Sequence, residues 1–248
     1  MSERFENRDM AGTLFHNVNL HKATFDDVNM EGVQIYNANL KDMTINDANI
    51  AGLTIYGMRI DQLIEAELDR RDPERTRLRM SDVFDPEEVR RVLARLEQLR
   101  AEFYTRLRDT PSDVLNAHPG PDRWSALEHA RHLVFAEDMY LNRWLLRNNQ
   151  PWCTLGFLPP FLDGNPAFAD VGTEPTEDLE TVLAAWDAIH AGTQAFVAEI
   201  TPEILKRDTS DVDFGQCCVG GVLQGMAKHD LEHIRMAESA LTDAASEK

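Results

Sequence analysis

His229 and His233 stand four residues apart in His229-Asp230-Leu231-Glu232-His233. On a helix that spacing puts both imidazoles on one face, one turn apart, where they can converge on a single cation. A third imidazole is available about a hundred residues earlier, in Glu128-His129-Ala130-Arg131-His132. Three neutral imidazoles from two facing helices, with a fourth position open, have the makings of a reactive Zn²⁺ or Ni²⁺ centre. The bound ion keeps its double charge and polarises whatever takes the open position. A single core histidine is usually just hydrogen-bonded, and an HxxxH pair alone says little. Here the pair falls inside an apolar series, Val222, Met226, His229, His233, Met236 and Ala240, at alternating spacings of four and three. Rings buried in such a stripe each need a polar partner, so packing alone accounts for them poorly. Asp230 and Glu232 fall on the side expected to face solvent, and Glu232 and Glu128 are candidates to hold the second nitrogen of a ligand ring.

These side chains need helices to position them, and the pattern supplies four. Asp85-Pro86-Glu87-Glu88 is an N-cap, a first-turn proline and two acids facing the helix dipole. It opens a stripe through Val89, Val92, Leu93, Leu96, Leu99 and Phe103 that ends before Pro111. Ser125-Ala126-Leu127-Glu128 is a capping box. The helix it opens, to about Asn148, is apolar round most of its circumference and so expected to be central. A third helix opens at Thr176-Glu177-Asp178 and runs through Trp186 to Ile200, and a fourth covers about Gly220 to Asp243. One long crossover, Asn148 to Pro175, completes an all-α four-helix bundle. Trp152, Phe157 and Phe161 in that crossover are apolar enough that they must lie on something, either packed across the bundle or laid over its end as a pocket cover. Glu128 already has a sufficient role as the third residue of its capping box. Cys217 and Cys218 read as structural.

The first sixty residues follow another rule. Every fifth residue from Phe5 to Ile60 is apolar, and from Val18 onward an apolar, often small residue stands two before each landing. Asn precedes alternate landings, at Asn19, Asn29, Asn39 and Asn49. Neither helix nor strand holds a period of five. Residues 69–82, charged and carrying Pro73, read as an exposed linker.

Two resemblances follow. Asn37-Ala38-Asn39-Leu40 and Asp47-Ala48-Asn49-Ile50 resemble the pentapeptide-repeat family. That resemblance implies a right-handed quadrilateral β-helix over residues 1–68, landings inward, with Leu63, Ile64 and Leu68 of a short helix plugging its lower end. On that expectation Leu40→Asp unfolds the module. The segment Trp124-Ser125-Ala126-Leu127-Glu128-His129-Ala130-Arg131-His132-Leu133, followed by His229-Asp230-Leu231-Glu232-His233-Ile234, resembles the DinB-like (YfiT-like) superfamily. That family's pattern is W-S-x-x-E-x-x-x-H-L on the second helix and H-x-x-x-H-I on the fourth. By that match residues 83–248 are a DinB-like bundle and the ligands are His132, His229 and His233, leaving His129 as a surface residue or one that supports a ligand from behind. The resemblance also implies a low-molecular-weight thiol as co-reactant, in S-transfer, or water in hydrolysis.

Composition bounds the partners. Asp and Glu number 43 against 25 Lys and Arg, a formal charge of −18, which repels phosphate backbones and argues against nucleic acid. Residues 1–60 carry only −3 of it, eight acids against five bases, so mimicry of DNA by the repeat is disfavoured. The start lacks the apolar run of a signal peptide, no segment approaches a membrane span, and three cysteines make no disulfide framework. The expectation is a cytoplasmic, metal-dependent enzyme acting on a small molecule, with room for a homodimer. The rival reading is an interaction protein that docks a partner on its β-helix while the bundle is catalytically silent. Metal storage is disfavoured, since one three-histidine site offers little capacity.

Overall fold

The structure is a computed structural model that describes residues 4–25, 28–45, 48–120, 123–174, 176, 178–209 and 218–246, with only the backbone of Phe161. The chain divides into two compact units, Met1–Asn46 and Asp47–Lys248.

In the first unit the period of five is written into the backbone. Turns close at ten-residue intervals by Thr13 N to Met10 O (3.1 Å), Ala23 N to Leu20 O (2.9 Å), Val33 N to Met30 O (3.1 Å) and Met43 N to Leu40 O (3.2 Å). The third residue of each, Gly12, Lys22, Gly32 or Asp42, has positive φ, as a type II turn requires. The asparagine before each landing is explained locally: Asn19, Asn29 and Asn39 Oδ1 accept the backbone N–H two residues on, at 2.8–3.1 Å. Midway between turns, Asn7, Asn17 and Asn37 bend the chain through positive φ. Yet all described residues of 4–45 are exposed, the landings Phe5, Phe15, Phe25 and Ile35 by 52–55%. Among the described residues the backbone hydrogen bonds of this unit lie within single turns and no strand forms. The inward-facing landings expected from the quadrilateral β-helix are therefore not found. Turn chemistry is local and survives, whereas an interior exists only where one coil bonds to the next across about 4.8 Å.

The second unit begins with a hairpin, β1 (Thr54–Ile55) paired antiparallel to β2 (Met58–Arg59) through a two-residue turn at Tyr56 and Gly57, both at positive φ. Helix α1 (Ile60–Arg71) follows at once. Its Asp61 accepts from Gly52 N at 2.9 Å and pairs with Arg59, tying helix to hairpin. Leu63, Ile64 and Leu68, expected to be covered as a plug, are exposed. The segment 69–82 is not an exposed linker. Pro73 starts the short α2 (Glu74–Arg77), and Leu78 and Met80 enter the core. The Gln224 side chain accepts from Met80 N and donates to Leu78 O at 3.1 Å. Gly220 is needed where it stands, since a side chain there would overlap the Val83 carbonyl.

The long helices are α3 (Pro86–Arg108), α5 (Ala126–Asp138), α6 (Leu179–Ala198) and α8 (Val219–Ser246), with short α4 (Ser112–Leu115) and α7 (Pro202–Leu205) between them. The caps act as their sequences predict: Asp85 accepts from Glu87 N, and Ser125 and Glu128 form the reciprocal capping box. The cap of α6 is Asp178, which accepts from Thr181 N at 3.2 Å, while Thr176 caps Asp178 in turn. Helix α5 runs on through a π-helical stretch, Met139–Leu145, that no sequence signal announced. Helix α5 packs against α6 and α8, and α3 also packs against α6 and α8, so each long helix has two long neighbours. Every residue of α5 except Glu128 is buried. Two apolar clusters result, one around Val92, Leu96, Leu223 and Met226, the other around Phe103, Leu133, Trp186 and Ile234. Among the described residues no helix is long and apolar enough to cross a membrane.

Candidate metal centre

Four histidines meet where α5 faces α8. His132 Nε2 lies 3.3 Å from His229 Nε2, and the ring of His233 sits 4.4 Å from that of His132 and 4.5 Å from that of His229. One ring nitrogen from each of these three falls within 4.8 Å of the other two. The fourth, His129, is buried rather than on the surface, and its Nδ1 lies 3.1 Å from His233 Nδ1. Two imidazoles sharing one tetrahedral ion at about 2.1 Å bring their nitrogens to about 3.4 Å, so the 3.3 Å pair has the spacing such a donor set needs.

The rings are held from behind. His132 donates Nδ1–H to the Phe157 carbonyl at 2.9 Å, which leaves Nε2 as the lone-pair nitrogen facing His229. Phe157 is fixed because Arg131 donates to the Leu155 and Gly156 carbonyls at 2.9 and 3.1 Å. Gly156 permits this, because a side chain there would press on Phe135 and Val171. Trp124 lies against His129, His132, His233 and Phe157, with centroids 5.0–5.8 Å away. The sequence gives Trp124 no task of its own; the signal for it is its place directly before the capping box. On the α8 side Tyr140, from the π-helical stretch, meets the His229 ring edge-on at 5.8 Å.

Burial is the main electrostatic fact of this cluster. It pulls His132 down to about 3 and His229 and His129 to about 4, and it lowers His233 further, with the neighbouring imidazoles reinforcing the shift for His129, His132 and His233. All four rings are therefore neutral at neutral pH, the state in which imidazole offers a lone pair.

Residues 95–237, more than half of the chain, match the DinB superfamily, and residues 5–42 match pentapeptide repeats in eight copies. The chain belongs to the DinB superfamily. No curated protein and no solved structure matches it.

Several expected contacts of the DinB domain are not made. Glu128 Oε2 accepts from Ser125 N at 2.8 Å and Oε1 faces His118 at 3.6 Å, so the capping box uses it up. Glu232 pairs with Arg75 and Lys228 at 3.6 and 3.9 Å, away from any ligand ring. Asp230, expected in solvent, is 5% exposed and lies 3.5 Å from His229 Nδ1, too long for a strong hydrogen bond. The reason is a rotation of the stripe. The core line of α8 runs Met226, Asp230, Ile234, Ala237, Leu241, which leaves His229 and His233 half-buried at its margin and Met236 exposed. Of the crossover residues, Phe157 reaches the cluster. Trp152 packs instead on Phe135, Phe168 and the Arg143 guanidinium, one side chain removed from His132. The side chain of Phe161 lies outside the described residues. So does Cys217, while Cys153 is half-buried with its thiol pushed up by burial.

Proposed function

We propose that His132, His229 and His233 hold one divalent transition ion, Zn²⁺ or Ni²⁺, and that the DinB domain, a four-helix bundle, is a metal-dependent enzyme for S-transfer or hydrolysis of a small molecule. The observation that carries this reading is the convergence of three neutral imidazole nitrogens within 4.8 Å of one another. When bound, the ion lowers the pKa of a low-molecular-weight thiol or water and so supplies a nucleophile at neutral pH. The protein's own residues do the rest. Phe157 O and Arg131 hold His132 in one tautomer. His129 does the same for His233: with His233 donating Nδ1–H to His129 Nδ1, the other nitrogen of His233 is left with its lone pair. Trp124, packed on His129, His132, His233 and Phe157, keeps water off its side of the rings.

The test is elemental analysis of the wild type beside His132→Ala, His229→Ala and His233→Ala. One ion per chain in the wild type and none in the variants is expected. Equal metal in all four defeats the assignment; a fifth protein, His129→Ala, should keep its metal, and loss there in place of His132→Ala shifts the α5 ligand by three residues. Metal-loaded protein is then screened with thiols and electrophilic substrates. A second reading, docking of a protein partner on residues 4–45, is favoured by one observation, the exposure of every apolar landing there.

A further inference from the structure

Between α3, α6 and α8 lies a cavity of about 270 Å³ that none of the four cluster histidines lines. Leu93, Leu96, Trp186, Val197, Met226 and Ile234 make its wall, and exposed Ala94, Gln194 and Ala198 stand at its mouth, where the two alanines keep the entry wide. A core packed for stability alone leaves few voids larger than a water molecule, and this one is many times that size. The polar groups along it are already spent or closed off. Glu137 accepts from Trp186 Nε1 with one oxygen and from His190 Nδ1 with the other. Arg100 is taken by Tyr104 and Asp187. His190 Nε2 faces Glu97 Oε1 at 2.7 Å, and both that nitrogen and the Thr193 hydroxyl are shut away from water. Asp230 turns one oxygen to His229, 3.5 Å from its Nδ1. What the cavity offers a guest is therefore mainly carbon.

The surrounding charges narrow the guest further. Glu97 and Glu137 face a carboxylate with like charge, and Arg90, Arg100 and the ring of His190 do the same to an ammonium. Either ion would also leave water for a place where the opposite charges are already paired with one another, which is costly. A neutral guest meets neither penalty. Its affinity then comes from apolar contact and grows with each methylene it buries. Since a dry cavity of about 150 Å³ takes benzene, this one has room for a ring with a short chain. We propose that this cavity is a binding site for a neutral, apolar small molecule, a hydrocarbon ring bearing a short alkyl chain. The proposal goes beyond the metal-centre reading and does not depend on it.

Calorimetric titration of the full chain with benzene, toluene, ethylbenzene, benzoate and benzylamine tests it. Toluene should bind one per chain, and affinity should rise about fourfold at each step from benzene through toluene to ethylbenzene, the worth of one buried methylene. Binding should carry the negative heat-capacity change of apolar burial. Benzoate and benzylamine should bind at least tenfold more weakly than toluene. Val197→Trp fills the cavity from its wall and Ala94→Trp from its exposed mouth. Each should weaken toluene at least tenfold, with unchanged helical circular dichroism showing that the variant is folded. His132→Ala should leave toluene affinity within twofold, which separates this site from the histidine cluster. No saturable binding of any hydrocarbon, a flat series, preference for the acid or the amine, full affinity in both tryptophan variants, or loss of binding in His132→Ala each overturns the proposal.

Discussion

His132 and His190 are imidazoles on adjacent helices, 6% and 8% exposed, and they titrate in opposite directions. His132 has a backbone carbonyl on one nitrogen and other imidazoles beyond the second, and burial pulls it down to about 3. At His190 burial works the same way, but Glu137 and Glu97 flank the ring and outweigh it, raising it to about 9. Equal depth with different partners yields a lone-pair donor in one place and a structural cation in the other. A buried histidine is therefore a ligand candidate only where one ring nitrogen keeps its lone pair, which carboxylates on both nitrogens of His190 do not allow.

Metal content is the sharpest contrast. His132→Ala should abolish it, whereas His190→Ala should retain one ion per chain, both read by elemental analysis of purified protein. Loss of metal from the His190 variant would erase the distinction. Next in size is stability. Glu137→Ala leaves the Trp186 N–H without its partner and the His190 charge with Glu97 alone, so it should cost about 3 kcal/mol in urea unfolding. His129→Ala, which removes a neutral ring, should cost less than half of that.

The pH dependence of metal-free protein separates the two regions again. His129, His132, His229 and His233 have lowered pKa values, so the unfolded chain binds more protons below about 6.5 and stability is lost as pH falls from there toward 4. Asp230, raised by burial, opposes this by one proton. His190 is raised, so its contribution is full below about 6.5 and is lost as pH rises toward 9. Stability should peak near pH 6.5, with slopes of about 1.4 kcal/mol per pH unit for each proton. A plateau from pH 5 to 9 in thermal or urea melts would contradict both assignments. The smallest effect belongs to neither region: Leu40→Asp should change stability by less than about 0.5 kcal/mol, because Leu40 is already exposed. Unfolding of the chain by that substitution would restore an interior to the repeat.

The helical domain was legible wherever the signal is local. Asp85-Pro86, Ser125-Glu128 and the i, i+3, i+4 stripe of α3 each act within one or two turns, and each appears as read. His132, His229 and His233 were legible as a set because a four-residue spacing fixes a shared face, and the motif around Trp124 chose between His129 and His132. What escaped depends on rotation and distance. A turn of α8 by one position exchanges His229 for Asp230 in the core, a shift that apolar spacing with two histidines in it could not register. Glu97, Glu137 and His190 lie 40 and 53 residues apart in sequence, on three helices, and no short window contains them.

By itself, then, the sequence determined the turns of residues 4–45, the starts of the long helices and the three imidazoles that can face one another. Those features follow from backbone dihedrals and side-chain spacing, which short-range forces set. Only the tertiary structure decided that the landings stay in solvent, that residues 69–82 join the core through Leu78 and Met80, and which imidazole stays neutral. Burial and pKa depend on what other segments bring to the same place, and that information is spread over the whole chain.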